Sequence, residues 1–380
     1  MLALRVCVAL VILIALDASR SILSAQQPYV PGGAGIRGIT IGPIESSQQA
    51  GRGYGTPYSE ALLDELVRLG ANAIALTPFG RLWSLSSTEI ELDFEAPYED
   101  NRLAVKRIIE QAHARGLRVI LIPHLWVEMG GWRGEIEHAD EEAWRAYQAA
   151  YRGFVLAWTD DAERFGADAL SIGVECKSWS GRFGPYWSTL IREIRERFHG
   201  SLTYSSNWDE VEDVLFLDQL DWIGINAFYP LARANDASYV EYEASAREVM
   251  KKLAAVSALH ELPVVLMEIG YTTRANAAVE PWLWPDDMSN VVIDEHEQAR
   301  ALYAIGRAAA DEPAVSGFFV WRYYANLDDV SQEAIWGFSP HGKLAEPVLS
   351  ALLHQTFAAD ELPSPWRNAR PIPALQPPRW

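Results

Sequence analysis

Only two cysteines occur in the chain, Cys7 and Cys176. Cys7 lies in an N-terminal apolar run, residues 6–16, preceded by Arg5 and followed by small and polar residues up to Ala25. That is the pattern of a cleavable signal peptide, with cleavage expected after Ala25. Its removal leaves Cys176 alone, which excludes an internal disulfide and requires a large core for stability. No later segment is apolar for long enough to span a bilayer, so the chain is expected to be exported and then soluble. Basic residues are scarce as well: 32 Lys and Arg against 51 Asp and Glu give a formal net charge of −19. That balance disfavours nucleic acid and anionic lipid as partners and suits a neutral substrate. A Gly-rich phosphate fingerprint after the first strand is also missing. The glycines at 51, 53 and 55 neither follow a strand directly nor open a helix.

What is present is a repeat of strand-like and helix-like patterns from residue 36 onward. Short apolar strands fall near residues 37, 74, 119, 171, 203, 224, 265 and 318. Amphipathic helices are predicted over 59–69, 101–114, 141–165, 185–198, 239–259, 296–310 and 344–357. Only the link 207–221, between the fifth and sixth strands, is short and weakly helical. Near-continuous apolar strands separated by helices predict an α/β fold with a parallel sheet. The count of eight favours closure into a (β/α)8 TIM barrel over an open doubly wound sheet. The expected organisation is a signal peptide over 1–25, a Pro/Gly-rich leader over 26–35 and one barrel domain over 36–360. A tail with six prolines follows over 361–380.

Barrel enzymes carry their reactive side chains at the C-terminal ends of the strands. Those ends present Arg37, Thr77, His124, Glu175, Asn207 with Trp208, Asn226 to Tyr229, Glu268 and Trp321. Two of these are acids, on the fourth and seventh strands. A single strand-end Glu reads by default as a solvated ion-pair partner. Two facing one pocket amid aromatics point instead to cleavage of a glycosidic bond. One carboxyl donates a proton to the leaving oxygen while the other attacks the anomeric carbon, at a separation of roughly 5–5.5 Å in the retaining arrangement. No cofactor is needed.

The 15 Trp and 15 Tyr fit this reading, since flat aromatic faces suit sugar rings. Trp126, Trp132, Trp179, Trp208, Trp282 and Trp284 fall in predicted loops over the mouth, where together they suggest subsites for a polysaccharide or oligosaccharide. Trp321 ends the eighth strand, where a large aromatic either faces the mouth or plugs the barrel core. Two more residues keep two readings each. Tyr229 either bonds Glu268 or is a rim aromatic, and Arg37 either orients Glu268 or pairs with an acid at the barrel base. His124, Glu128 and His138 match no zinc spacing, so His124 reads as a hydrogen-bonding group rather than a metal ligand. Cys176 should face away from Glu175 by strand alternation and pack in the core. Asp93, Glu95, Asp286 and Asp287 read as solvated loop charges.

The segment Val264-Val265-Leu266-Met267-Glu268-Ile269-Gly270-Tyr271 resembles the nucleophile strand of glycoside hydrolase family 113, in the clan A of retaining barrel enzymes. Leu202-Thr203-Tyr204-Ser205-Ser206-Asn207-Trp208 and the run from Asp221 to Leu231 resemble that family's fifth and sixth strands. Ser171-Ile172-Gly173-Val174-Glu175 resembles its acid/base strand. The likeness spans residues 36–357. It implies a β-1,4-mannanase mechanism with Glu175 as acid/base, Glu268 as nucleophile and Trp321 as the aromatic floor under the cleaved sugar. The same mechanism on β-glucosides, β-xylosides or short oligosaccharides, and a non-catalytic sugar-binding barrel, are the alternatives. One departure stands out: most of the clan has Asn before the acid/base, contacting the substrate 2-hydroxyl, and this chain has Val174. That contact must come from elsewhere, such as Asn207 or His124, or be missing.

Overall fold

The computed structural model describes residues 35–42, 50–93, 96–234, 237–284, 290–328 and 333–355. The signal peptide, most of the leader and the C-terminal tail lie outside the described residues, as do Glu95, Asp286 and Asp287.

Eight parallel strands close into a barrel. They are β1 (Ile36–Gly42), β2 (Ala73–Leu76), β4 (Arg118–Leu121), β6 (Ala169–Val174), β7 (Ser201–Asn207), β8 (Ile223–Asn226), β9 (Val264–Ile269) and β10 (Val315–Tyr324). β1 pairs with both β2 and β10, which completes the ring. The expected barrel is therefore observed. Two further strands, β3 (Phe79–Leu82) and β5 (His124–Val127), pair in parallel outside the ring, in register from Phe79↔His124 to Leu82↔Val127. Sequence patterning did not separate them, because each continues an apolar run past a proline. Pro78 and Pro123 have no N–H for the ladder, so the barrel strands stop and pairing resumes beyond. The second sheet carries His124 and Trp126 over the mouth.

The helices α1 (Pro57–Leu69), α2 (Tyr98–His113), α3 (Glu141–Phe165), α5 (Gly184–Arg195), α6 (Tyr239–His260), α7 (Glu295–Asp311) and α8 (Ala345–Leu353) surround the ring, with the single turn α4 (Lys177–Ser180) after β6. Capping sets their ends. α1 starts at Thr56 rather than Ser59: the Thr56 side chain accepts from the Ser59 N–H, and Pro57 opens the first turn. α3 is capped by Asp140 and stopped by Gly166 in the left-handed conformation. Between β7 and β8 there are only two short 3-10 turns, Val211–Asp213 and Leu217–Gln219, in keeping with the weak helical signal there. The missing helix leaves a groove of about 710 Å³ against α6.

The barrel interior is filled by Ile36, Ala73, Ala75, Ile120, Ala169, Val174, Val265, Met267 and Phe319. A Cβ at Gly38 would lie 2.1 Å from the Phe319 ring, so glycine there makes room for that ring. Outside the ring, Trp187 stacks between Trp179 (4.4 Å) and Phe216 (4.5 Å), and Tyr151 and Tyr204 pack edge-on against it. This aromatic layer, buried behind β6 and β7, supplies stability that no disulfide can.

Candidate active site

Glu268 is aimed by an irregularity at the end of β9. Ile225 pairs with Leu266 but Asn226 pairs with Glu268, so Met267 is an extra residue. Strict alternation from Val265 and Met267, both inside the ring, would turn Glu268 away. The bulge turns it toward the mouth instead. The backbone is pinned by the Ala227 N–H donating to the Glu268 carbonyl at 2.6 Å. Burial pushes the Glu268 carboxyl well above its ordinary range, and the nearby charge of Glu175 adds to this. Arg133, Arg322 and a hydrogen bond from Asn226 oppose it.

Glu175 follows β6, whose register with β7 is also irregular between Ser171 and Val174. Its N–H donates to the Ser205 carbonyl at 2.8 Å, and its φ of 50° lies in the left-handed region. The side chain accepts three hydrogen bonds. Oε2 receives Trp132 Nε1 at 2.8 Å and Arg133 Nη1 at 2.6 Å, and Oε1 receives Asn226 Nδ2 at 3.0 Å. Glu175 and Glu268 are 6% and 5% exposed, so neither is the solvated ion-pair residue that a lone strand-end Glu suggests. Cys176 turns the other way into the core, where burial raises its thiol to about 12. Burial there disfavours the thiolate.

Both carboxylates line one cavity of about 750 Å³. Trp321 lines it too, packed with Phe228 and Phe338. The His124 ring lies parallel to Trp321, and its Nε2 is 3.7 Å from Glu268 Oε1. Burial, reinforced by Arg133 and Arg322, holds His124 well below its ordinary pKa, so it is neutral near pH 7. Trp208 and Trp282 form a stacked pair at 5.4 Å on one wall, and Trp126 meets Trp284 edge-on at 6.3 Å on the other. Asn207 also lines the cavity, its amide donating to Asp209 at 2.6 Å.

Three residues assigned from sequence lie elsewhere. Arg37 is the second residue of β1, at the N-terminal end of the barrel, and its guanidinium donates to the Gln355 carbonyl at 3.4 Å. Strand position was misread there, because β1 runs on to Gly42. Tyr229 turns outward into the groove left by the missing helix, edge-on to Trp208, rather than bonding Glu268. Trp179 is in the aromatic core, because α4 folds back behind β6. Glu128 pairs with Arg81 at 3.0 Å and His138 packs against Trp144 and Tyr147, so neither joins His124. Among the described residues no group of three or more His, Cys, Asp or Glu is arranged to hold a metal.

Sequence reasoning missed the roles of Arg133, Asn226 and Arg322. The Arg322 guanidinium is held between Trp284, Trp321 and Tyr324 at 4.7–5.1 Å from their rings. Asn226 could have been found, since it ends the sixth strand as Glu175 ends the fourth. Arg133 opens a short 3-10 turn, Arg133–Glu135, six residues after β5 ends, with only the surrounding glycines as a signal.

The Glycoside Hydrolase Family 113 model matches residues 46–343. No curated protein sequence matches the chain. Among solved structures, a family 113 β-mannanase from Alicyclobacillus acidocaldarius in complex with ManMIm is 25% identical. It covers 86% of this chain and 99% of its own, with a TM-score of 0.73. A second family 113 β-1,4-mannanase, in a complex structure, is 22% identical, covering 84% of this chain and 99% of its own at a TM-score of 0.72. A family 5 mannosidase from Rhizomucor miehei shares the fold at 11% identity, 86% and 93% coverage and a TM-score of 0.60.

Proposed function

The chain belongs to glycoside hydrolase family 113 and is a mannanase-like glycoside hydrolase; we propose that it cleaves β-1,4-linked mannan by double displacement, with Glu268 as nucleophile and Glu175 as acid/base. The observation that carries this reading is the pair of buried carboxylates lining one aromatic cavity together with Trp321. In the first step Glu268 bonds to the anomeric carbon as the glycosidic C–O bond breaks, and the Glu175 proton goes to the leaving oxygen. In the second, Glu175 takes a proton from water, whose oxygen displaces Glu268. Burial favours this chemistry, because charge developing on the sugar ring is stabilised best where water is excluded.

Val174 packs inside the barrel and offers no polar contact to the sugar. His124 takes that role in our reading. It lines the cavity, and neither ring nitrogen has a hydrogen-bond partner among the described residues. Trp208 with Trp282, and Trp126 with Trp284, would hold flanking sugars.

Purified protein assayed on mannan, xylan, β-glucan and the matching aryl glycosides tests the reading. Release of β-configured manno-oligosaccharides is expected. Faster cleavage of xylan or β-glucan would move the substrate while keeping the mechanism. Binding without hydrolysis of any of them would overturn the enzymatic reading. Export is part of the proposal, and N-terminal sequencing of protein recovered outside the cytoplasm should begin at Gln26.

A further inference from the structure

The loop after β5 reads Gly130-Gly131-Trp132-Arg133-Gly134, and its two large side chains converge on one atom, Glu175 Oε2. Arg133 reaches it under restraint. Its Nε donates to the Leu125 carbonyl at 2.9 Å, which fixes the guanidinium plane and leaves Nη1 directed at the carboxylate. Trp132 reaches it by folding its indole back over Gly134. A Cβ there would lie 2.4–2.5 Å from three ring carbons, so only glycine admits the fold. Gly131, at φ +108°, takes a backbone conformation that other residues rarely adopt.

We propose that this loop is a clamp on the acid/base, with Arg133 and Trp132 as positioning residues that act through Glu175. The inference rests on the acid/base role proposed above. A carboxylate oxygen offers two lone pairs, and the clamp fills both on Oε2. Among the described residues Oε1 accepts only from Asn226, so there it keeps one free site. The catalytic proton therefore sits on Oε1 and leaves from there to the glycosidic oxygen as the C–O bond breaks. Released from the clamp, the carboxyl rotates about its last torsion, which is a soft one. Oε1 then no longer faces the leaving oxygen.

The test compares substrates that need the proton with substrates that do not. Arg133→Met should lower kcat/KM on manno-oligosaccharides by about 100-fold and on 2,4-dinitrophenyl β-mannoside by less than about threefold. Arg133→Lys should recover most of the loss. Trp132→Phe, which removes one N–H and little volume, should show the same split at about tenfold. If Arg133→Met does not fold, Trp132→Phe and Arg133→Lys carry the test alone. Equal losses on both substrates, or none on either, would overturn the clamp. Glu175→Ala run alongside separates the two ideas. A split in Glu175→Ala without one in the clamp variants sinks the clamp alone, and no split in Glu175→Ala sinks the acid/base role as well.

Discussion

The imidazole of His124 lies face to face with the indole of Trp321, ring centroids 6.0 Å apart and planes inclined by 15°. The stack presents a polar edge beside Glu268, with His124 Nε2 3.7 Å from its Oε1. Neutral His124 offers one N–H and one acceptor to a hydroxyl and adds no charge beside Glu268. His124→Phe keeps the ring stack and removes both nitrogens. It should lower kcat/KM on manno-oligosaccharides by about 10–100-fold with the shape of the pH profile unchanged. Loss of a limb from that profile would show that His124 titrates during turnover.

Glu268→Ala should reduce turnover by about 10³-fold or more on every substrate. Azide occupying the vacated space should restore part of it and yield the α-glycosyl azide, the opposite configuration from the normal product. Wild-type rates in this variant would remove Glu268 from the mechanism.

Trp208 is half-buried, stacked on Trp282, and lines both the cavity and the neighbouring groove against α6. Trp208→Ala should therefore raise KM for long manno-oligosaccharides by about fivefold, equivalent to the roughly 1 kcal/mol of an aromatic contact. Cleavage of a small aryl mannoside should change little. An equal effect on both would place Trp208 against the cleaved sugar itself.

Glu210 is buried behind the site, accepting from Ser180 Oγ at 2.6 Å, from the Asn207 N–H at 2.8 Å and from Tyr204 Oη. Burial raises its carboxyl from 4.5 to about 7. A carboxyl raised on folding contributes stability that is complete below its unfolded pKa and lost as pH rises through its folded one. Thermal stability should therefore fall between about pH 4.5 and 7, with a Glu210 share on the order of 3 kcal/mol. Glu268 shifts the same way. Melting curves across that range should flatten in Glu210→Gln, and an unchanged slope would refute the assignment.

Arg37 provides the control. Its guanidinium is at the N-terminal end of the barrel, so Arg37→Met should keep kcat and KM within about twofold on mannan while lowering the melting temperature. A kinetic effect with an unchanged melting temperature would contradict its position.

The closed barrel, the link without a full helix and the strand ends bearing Glu175 and Glu268 were legible in the sequence. Each is a local consequence of hydrophobic period and of proline, glycine and capping residues, so each survives without knowledge of neighbours. Tertiary structure alone decided which strand-end side chains meet. The extra residue at Met267 reverses the alternation that would send Glu268 outward, and no local pattern announces it. Trp179 was misjudged, and the Glu268 reading of Tyr229 fails, because facing depends on where α4 and the loop after β8 fold back. Arg133 and Glu175 are 42 residues apart in the chain and 2.6 Å apart in space, a contact that the closing of the barrel creates. The sequence by itself determined the scaffold and the chemical types at its mouth, because those follow from residue-by-residue preference. The electrostatic setting of the two glutamates came only with burial and long-range contact, which no single stretch of chain contains.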